Sequence, residues 1–397
     1  MKITAIICEY NPLTNGHVKH LELARQQTEA DTILCVMSGS FTQRGDASIA
    51  DKYLRAEQAV VHGADIVVEL PTIYAISPAD NFAYGAIKTI SAFDDVEYVS
   101  FGSECGDINK LTMLAELFAN EPQEYSEILQ KHLKNGNSFP KARALALTEY
   151  AETHDEYKEL SVLLDTPNNV LGLAYIVAAK KQGLNYKFHT IKRMGSDYNS
   201  EETDTEYPSA TAIRNAVYKN DLGSIANAVP ESVLNLLKIF KPRDNALGDM
   251  ELFKIKSISG YELENYYDVT GGIHNRIKIA ANGASSIEEL LEGAKTKNYT
   301  MARIKRILLY ALFDITKRDY EACLECPPYV QILAMRSDRK DILSSLSESC
   351  PNVLTRYSDI SKVDKSLRYM VKLDFTAQGT LEIINRSNYF NKKMILV

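Results

Sequence analysis

The sequence predicts an α/β protein with a parallel sheet at its start, a mainly helical and basic region after it, and a small α/β module at its end. Short unbroken apolar runs (Ile3 to Cys8, Ala30 to Gly39, Ala64 to Leu70) alternate with segments of helical spacing, as strands buried on both faces alternate with covering helices. Such strands join by right-handed crossovers, and their ligands bind outside the strands' carboxyl ends. Beyond about residue 220 the apolar spacing becomes helical. The expected units are residues 1–218, 219–327 and 328–397.

The first stretch, Ile3 to His20, reads as strand, tight turn and helix. Ile3, Ala5, Ile6, Ile7 and Cys8 stop at Glu9-Tyr10-Asn11-Pro12, and Val18, Leu21 and Ala24 follow Asn15-Gly16 at helical spacing. A strand that passes directly into a helix leaves the first backbone N–H groups pointing at the turn, where they favour a phosphate. Gly16 lets a ligand approach the backbone closely. His17 and His20, one turn apart, share the face turned toward that anion. Neither GxxxxGK[ST] nor GxGxxG follows the strand.

The second run ends in a Gly-containing loop, and a helix is expected over Lys52 to His62 before the third run closes at Pro71. The edge rule singles out the loops Glu9 to Gly16, Ser38 to Asp46 and Leu70 to Asn81. Gly39, Gln43 and Arg44 in the second loop are candidates for a second substrate. A fourth strand, Val96 to Phe101, brings Gly102 to the same edge. Lys110 to Lys181 is mostly helical in pattern, broken at Asn135-Gly136-Asn137 and at Thr166-Pro167-Asn168-Asn169, where Asn168 or Asn169 is a natural N-cap for Val170 to Ala179. Tyr186 to Lys192 is the next strand and leads to Arg193, whose guanidinium suits phosphate. After the acidic stretch Asp197 to Glu206, Pro208-Ser209-Ala210-Thr211 marks a second helix N-terminus ahead of Ile213 and Arg214.

Past the break at Lys241-Pro242, Gly271-Gly272 opens a segment with His274, Arg276 and Lys278. The segment from Gly293 to Phe313 contains no acidic residue and carries Lys295, Lys297, Arg303, Lys305 and Arg306, which reads as a buried helix with a basic exposed side. Clustered charge of this kind contacts RNA phosphates without regard to sequence. The tail holds strand-like runs at Val330 to Ala334 and Leu381 to Ile384 and a helix around Ile342 to Leu346.

Composition narrows the classes. With 397 residues, 45% hydrophobic and 24% charged, the chain is long enough for two or three domains with a sizeable core, and no apolar run is long enough to cross a bilayer. Met1-Lys2 leads straight into a strand, so neither export nor a membrane partner is expected. The six cysteines are sparse and read as reduced, buried thiols of a cytoplasmic protein. A net charge of -7 argues against indiscriminate coating of nucleic acid but leaves room for a local basic face.

Several residues have a bland reading beside the functional one. Glu69 and Asp65 suit a metal or substrate, but a strand-end Glu and a turn Asp satisfied by backbone are as natural. Lys52 and Arg55 suit a polyphosphate, whereas a solvated helix face is the usual fate of such charges. Cys323-Leu324-Glu325-Cys326 lacks the second pair that a zinc site needs. His17 alone would be an ordinary packed histidine; Gly16 before it and the later Ser209 to Arg214 segment turn the reading toward phosphate.

These residues also resemble a family. Thr14-Asn15-Gly16-His17 fits the (H/T)xGH signature of the nucleotidylyltransferase superfamily, and Ser209, Thr211 and Arg214 fit its late S-x-T-x-I-R motif. EYNPLTNGHVKH, MSGSFTQRGD and GADIVVELP resemble the tRNA(Met) cytidine acetate ligase branch, whose members often carry His at the positions of Thr14 and Ser40. The resemblance implies a Rossmann-like parallel sheet and an ATP site of Ile7, Cys8, Glu9, Tyr10, Asn11, Pro12, Leu13, Thr14, Asn15, Gly16, His17, Val18, Lys19 and His20. Gly102, Asn168, Arg193, Ser209, Thr211 and Arg214 would complete it, with His17, His20 and Arg214 catalytic. It further implies acetate, ATP with Mg²⁺, and elongator tRNA(Met) as partners, acetyl-adenylate as intermediate and N4-acetylcytidine as product, with no protein ligands assigned to the Mg²⁺. Two rivals remain at this stage: a nucleotidylyltransferase that adenylylates a small phosphorylated metabolite in cofactor synthesis, and a non-catalytic RNA-binding protein.

Overall fold

The computed structural model describes residues 1–193, 208–240, 245–386 and 393–397. The acidic stretch Asp197 to Glu206 and the Lys241-Pro242 break lie outside the described residues. The chain opens β1 (Ile3–Cys8), α1 (Asn15–Thr28), β2 (Thr32–Ser38), α2 (Lys52–Val61), β3 (Ile66–Leu70), α3 (Thr72–Ala75), α4 (Ala79–Ile90) and β4 (Val96–Ser103). Helices α5 (Ile108–Asn120), α6 (Gln123–Lys134), α7 (Phe139–Tyr150) and α8 (Pro167–Lys181) lead to β5 (Lys187–Lys192). Then come α9 (Ala210–Tyr218), α10 (Glu231–Ile239), α11 (Ala246–Ser257), α12 (Gly260–Asn265), α13 (Ile273–Gly283), α14 (Ile287–Ala294), α15 (Met301–Leu312) and α16 (Lys317–Leu324). The chain closes with β6 (Val330–Met335), α17 (Lys340–Ser349), β7 (Val353–Leu354), α18 (Arg368–Asn385) and β8 (Ile395–Leu396).

The strands form one sheet in the order β5-β4-β1-β2-β3-β6-β7, with β8 beside β6. Strands β5, β4, β1, β2 and β3 are parallel, and β6 pairs antiparallel with β3. The order reverses between β1 and β4, so the crevice outside Cys8 and Ser103 is the switch point where an open α/β sheet takes its ligand.

Alternation along the strands sends successive side chains to opposite faces. Ile3, Ala5, Ile7, Leu34, Val36, Ile66 and Val68 join the larger core with α4, α5, α8 and the helices after residue 246. Ile6, Ile33, Cys35, Met37 and Val67 join a second core with α1, α2, α9 and α10. Buried cations knit the sheet's carboxyl edge. Lys52 Nζ lies 2.5 Å from Glu69 Oε2, both side chains buried. Arg55 donates to the carbonyls of Glu9, Ser38, Gly39 and Ala50 and so ties the ends of β1 and β2 together. Neither cation lies on a solvated face, because each is engaged by partners that the sheet edge supplies. Asp65 takes Ile33 N–H, Arg25 and Arg339 at the opposite edge.

Two local expectations are corrected. Leu381 to Ile384 belongs to α18, whose Leu381 and Ile384 face the core one turn apart while Ile383 is 56% exposed. Helix α8 begins at Pro167 with Thr166 as N-cap, so neither Asn168 nor Asn169 caps it. All six cysteines are free thiols, with Cys8 and Cys105 half-buried and the rest buried.

Candidate active site

The turn after β1 is shaped by its own polar groups. Thr14 caps α1 by accepting from His17 N–H, and Thr14 N–H donates to His17 Nδ1 at 3.1 Å. A histidine thus fills the third position of a capping box, a place usually taken by Glu or Gln. Because Nδ1 accepts, the ring proton of the neutral imidazole sits on Nε2. Burial, reinforced by Arg193 and His20, lowers the His17 pKa to about 3. Burial, with His189 and Arg193, lowers that of His20 to about 4. His20 Nε2 lies 3.0 Å from Ser100 Oγ, which lies 3.0 Å from His189 Nδ1. Both rings are therefore neutral near pH 7, dipolar rather than charged.

The second helix N-terminus is built in the same manner. Ser209 caps α9 by accepting from Ala212 N–H at 3.0 Å. Arg214 Nη1 donates to Asn11 O (2.9 Å) and Nη2 to Thr211 Oγ1 (3.0 Å). The guanidinium bridges the turn after β1 and the first turn of α9, two segments far apart in the chain.

Between them lies a cavity of about 240 Å³. Of the residues expected at the ATP site, Ile7, Cys8, Glu9, Tyr10, Asn11, Thr14, Gly16, His17, Lys19, His20, Gly102, Asn168, Arg193, Thr211 and Arg214 line it. Pro12, Leu13, Asn15, Val18 and Ser209 do not. Leu13 is buried in the second core and Val18 packs against it, Asn15 is turned to Asn227 O and Ala228 O, and Ser209 serves as the cap. A side chain at Gly102 would crowd Arg193. Asn168 accepts from Arg193 Nη1 at 3.3 Å and donates to Glu104 Oε1 at 2.6 Å. Asn169 is buried and accepts from the N–H groups of Glu104 and Cys105, so of the two asparagines only Asn168 faces the cavity.

Of the loop expected to meet a second substrate, Gln43 lines the cavity whereas Gly39 and Arg44 do not. Glu9 Oε1 accepts from Gln43 N–H at 2.8 Å, and burial raises the Glu9 pKa. Ser40 is buried and bonded to Gln378 of α18. The cavity's far wall is apolar: Phe82, Phe101, Leu171, Tyr175 and Ile191 line it. Sequence reasoning missed these, because apolar residues at helix and strand spacing look like ordinary core. Lys192, beside Arg193 at the strand end, was missed too, although its position at the sheet edge was a usable signal.

The basic segment does not present the exposed side expected of it. Arg303 pairs with Asp268 (3.1 Å), Lys305 pairs with Asp46 (2.7 Å), and Arg306 donates to Gln43 O (3.2 Å). Lys295 and Lys297, before α15, are exposed. No three His, Cys, Asp or Glu side chains converge as a metal site among the described residues.

Residues 1–394 match the family described as HIGH Nucleotidyl Transferase. The chain is 37% identical over 393 residues to the tRNA(Met) cytidine acetate ligase of Caldanaerobacter subterraneus subsp. tengcongensis, covering 97% of this chain and 96% of that one. It is 35% identical over 408 residues to the Clostridium tetani enzyme of the same name, covering 100% of both. Among solved structures it is similar to Thermotoga maritima TmcAL. The apo form gives a TM-score of 0.94 at 32% identity, and the form bound with alpha-thio ATP 0.92 at 30%, each covering 100% of both chains.

Proposed function

The chain belongs to the HIGH nucleotidyl transferase family and, within it, to the tRNA(Met) cytidine acetate ligases, and from that premise we propose the course of its reaction and the residues that carry it. It is an ATP-dependent ligase acting on tRNA. Acetate and ATP give acetyl-adenylate and pyrophosphate; the acetyl group then passes to N4 of the wobble cytidine of elongator tRNA(Met), leaving N4-acetylcytidine and AMP. The observation that carries the residue assignment is that His17, on the first turn of α1, and Arg214, near the start of α9, line one cavity.

Acetate cannot acylate an amine directly, because its leaving group would be oxide, and the cytosine N4 lone pair is delocalised into the ring. In the first step an acetate oxygen attacks the α-phosphorus and the bond to the pyrophosphate oxygen breaks. Negative charge moves onto the pyrophosphate, where preformed donors are worth most because they need no reorganisation. The Nε2–H of His17, with Thr211 and Arg214, supplies such donors, while His20, held by Ser100 Oγ, lines the cavity beside them. The nucleoside end lies toward Gly102, Asn168 and Arg193. In the second step N4 attacks the acetyl carbon, the bond to the AMP oxygen breaks, and N4 loses a proton. The wobble base leaves the anticodon stack to reach the cavity. Mg²⁺, expected with the nucleotide, would neutralise phosphate charge, and Glu9, the one acidic side chain among the described residues lining the cavity, would be the protein carboxylate nearest to it. This reading places the enzyme in the cytoplasm.

Omitting ATP, labelled acetate and tRNA in turn tests it. Acetate-dependent pyrophosphate release without tRNA and label in RNA only with all three are expected. Pyrophosphate release driven by a phosphorylated metabolite instead of acetate, or tRNA binding with no measurable ATP affinity, would overturn it.

A further inference from the structure

The segment that reads as an RNA-binding stripe braces a loop whose Gln43 lines the cavity. The loop after β2 meets α15 and the residue beyond it at three points. Phe41 sets its ring edge-on against Phe313, centroids 5.2 Å apart. Arg306 Nη1 donates to Gln43 O, and Lys305 Nζ lies 2.7 Å from Asp46 Oδ1. Between them Gly45, at φ +82°, lies so close to the helix that a Cβ there would stand 2.7 Å from Lys305 Cβ and 2.9 Å from its carbonyl carbon. That backbone conformation is unstrained only for glycine. On its other side the same loop is held from the catalytic half, where Gln43 N–H donates to Glu9 Oε1. The peptide groups flanking Gln43 are thus gripped by Arg306 from the helical region and by Glu9 from the β1 turn, and the Gln43 side chain completes the cavity wall between them.

We infer that Arg306 and Lys305 are positioning residues for the adenylation step, holding the Gln43 corner of the cavity where the carboxylic acid substrate is received. The inference rests on the acetate ligase reading. The loop closes on itself through the Phe41–Ala47 bridge and the Thr42–Asp46 hydrogen bond, so the tethers set where this small turn stands against the cavity, and a displacement near 1 Å costs about 100-fold in rate when reacting groups must align. The nucleotide is cradled by α1 and α9, whose caps and Arg214 contacts do not involve α15. Loss of the α15 tethers therefore acts on acetate and spares ATP.

The test is acetate-dependent ATP–pyrophosphate exchange by the full-length enzyme without tRNA, beside tRNA affinity measured by filter binding. Arg306→Ala is expected to lower kcat/KM for acetate by roughly 10-fold to 100-fold, chiefly by raising the acetate KM, with the ATP KM and the tRNA affinity unchanged. Arg306→Lys restores part of the loss. Asp46→Asn cuts the other tether from the loop side and should reproduce the acetate defect; combined with Lys305→Met it should add little to either single change. Unaltered exchange kinetics together with weakened tRNA binding would overturn the inference and return these residues to the RNA. Absence of acetate-dependent exchange in the unaltered enzyme would instead sink the ligase reading.

Discussion

His17 does two separable things, and replacing it two ways tells them apart. Its Nδ1 closes the capping box by accepting from Thr14 N–H, and in the proposed reaction its Nε2–H is the donor offered to phosphate. Glutamate is a common occupant of the third position of such a box, so His17→Glu keeps an acceptor for Thr14 N–H while removing the ring donor. His17→Ala removes both. Losing a preorganised donor at a site of developing charge costs about 100-fold to 1,000-fold in kcat, or roughly 3–4 kcal/mol, whereas losing a cap interaction costs about 1 kcal/mol of stability. Both variants should therefore show at least this catalytic loss in acetate-dependent pyrophosphate exchange at saturating ATP. Only His17→Ala should unfold earlier in urea, by about 1 kcal/mol. If His17→Glu or His17→Ala kept more than about a tenth of the wild-type kcat, the imidazole would not be the donor to the departing pyrophosphate, and the assignment of the first motif would fail.

Four further outcomes follow from the same geometry. The His17 pKa is lowered from its ordinary 6.5 to about 3, so the unfolded chain binds a proton that the fold rejects; the stability is complete above pH 6.5 and is lost as pH falls toward 3. One such ring costs about 2 kcal/mol at pH 5, and His17→Gln should be less acid-sensitive than the wild type by that amount when ligand-free urea melts at pH 7.5 and 5 are compared. Asn169→Ala strands two half-buried N–H groups and should cost about 1 kcal/mol or more of stability, while Asn168→Ala should chiefly weaken ATP binding, as calorimetry would register. Lys52→Met leaves Glu69 buried without its cation and should cost about 3–5 kcal/mol in denaturant melts, although neither side chain lines the cavity. Lys295→Ala and Lys297→Ala should weaken tRNA binding and lower the slope of log affinity against log salt by about one for each RNA phosphate no longer neutralised, with exchange without tRNA unchanged.

What was legible in the sequence is what short-range chemistry determines. A run of β-branched residues, a polar turn, and Pro208-Ser209 ahead of a helical pattern are each signals within their own segment, so the first strand and the two helix N-termini could be read before any tertiary contact was known. Leu381 to Ile384 was misread because four residues cannot separate period two from period 3.6 when apolar side chains fill most of them. The apolar wall of Phe101, Leu171 and Tyr175 was invisible for a different reason. A helix face that borders a cavity has the same composition as one that borders a core, and only the position of α8 beside the end of β4 distinguishes them.

Charged residues marked the limit. Their fate depends on partners that sequence spacing does not reveal. Lys52 and Arg55 lie on one helix at a spacing that suits a solvated face, yet one reaches Glu69 on β3 and the other the carbonyls at the ends of β1 and β2. Lys305 and Arg306 find Asp46 and Gln43 at sequence separations of 259 and 263 residues, too far for any pattern to pair them. A cluster of like charges without a local acid is equally what an RNA surface needs and what an internal strut needs, since a desolvated cation must be paired wherever its partner comes from. The basic stripe of α15 therefore could not be assigned from its own composition. Its meaning lies in the acid and the carbonyl that another loop brings to it, and that loop contributes Gln43 to the cavity's lining.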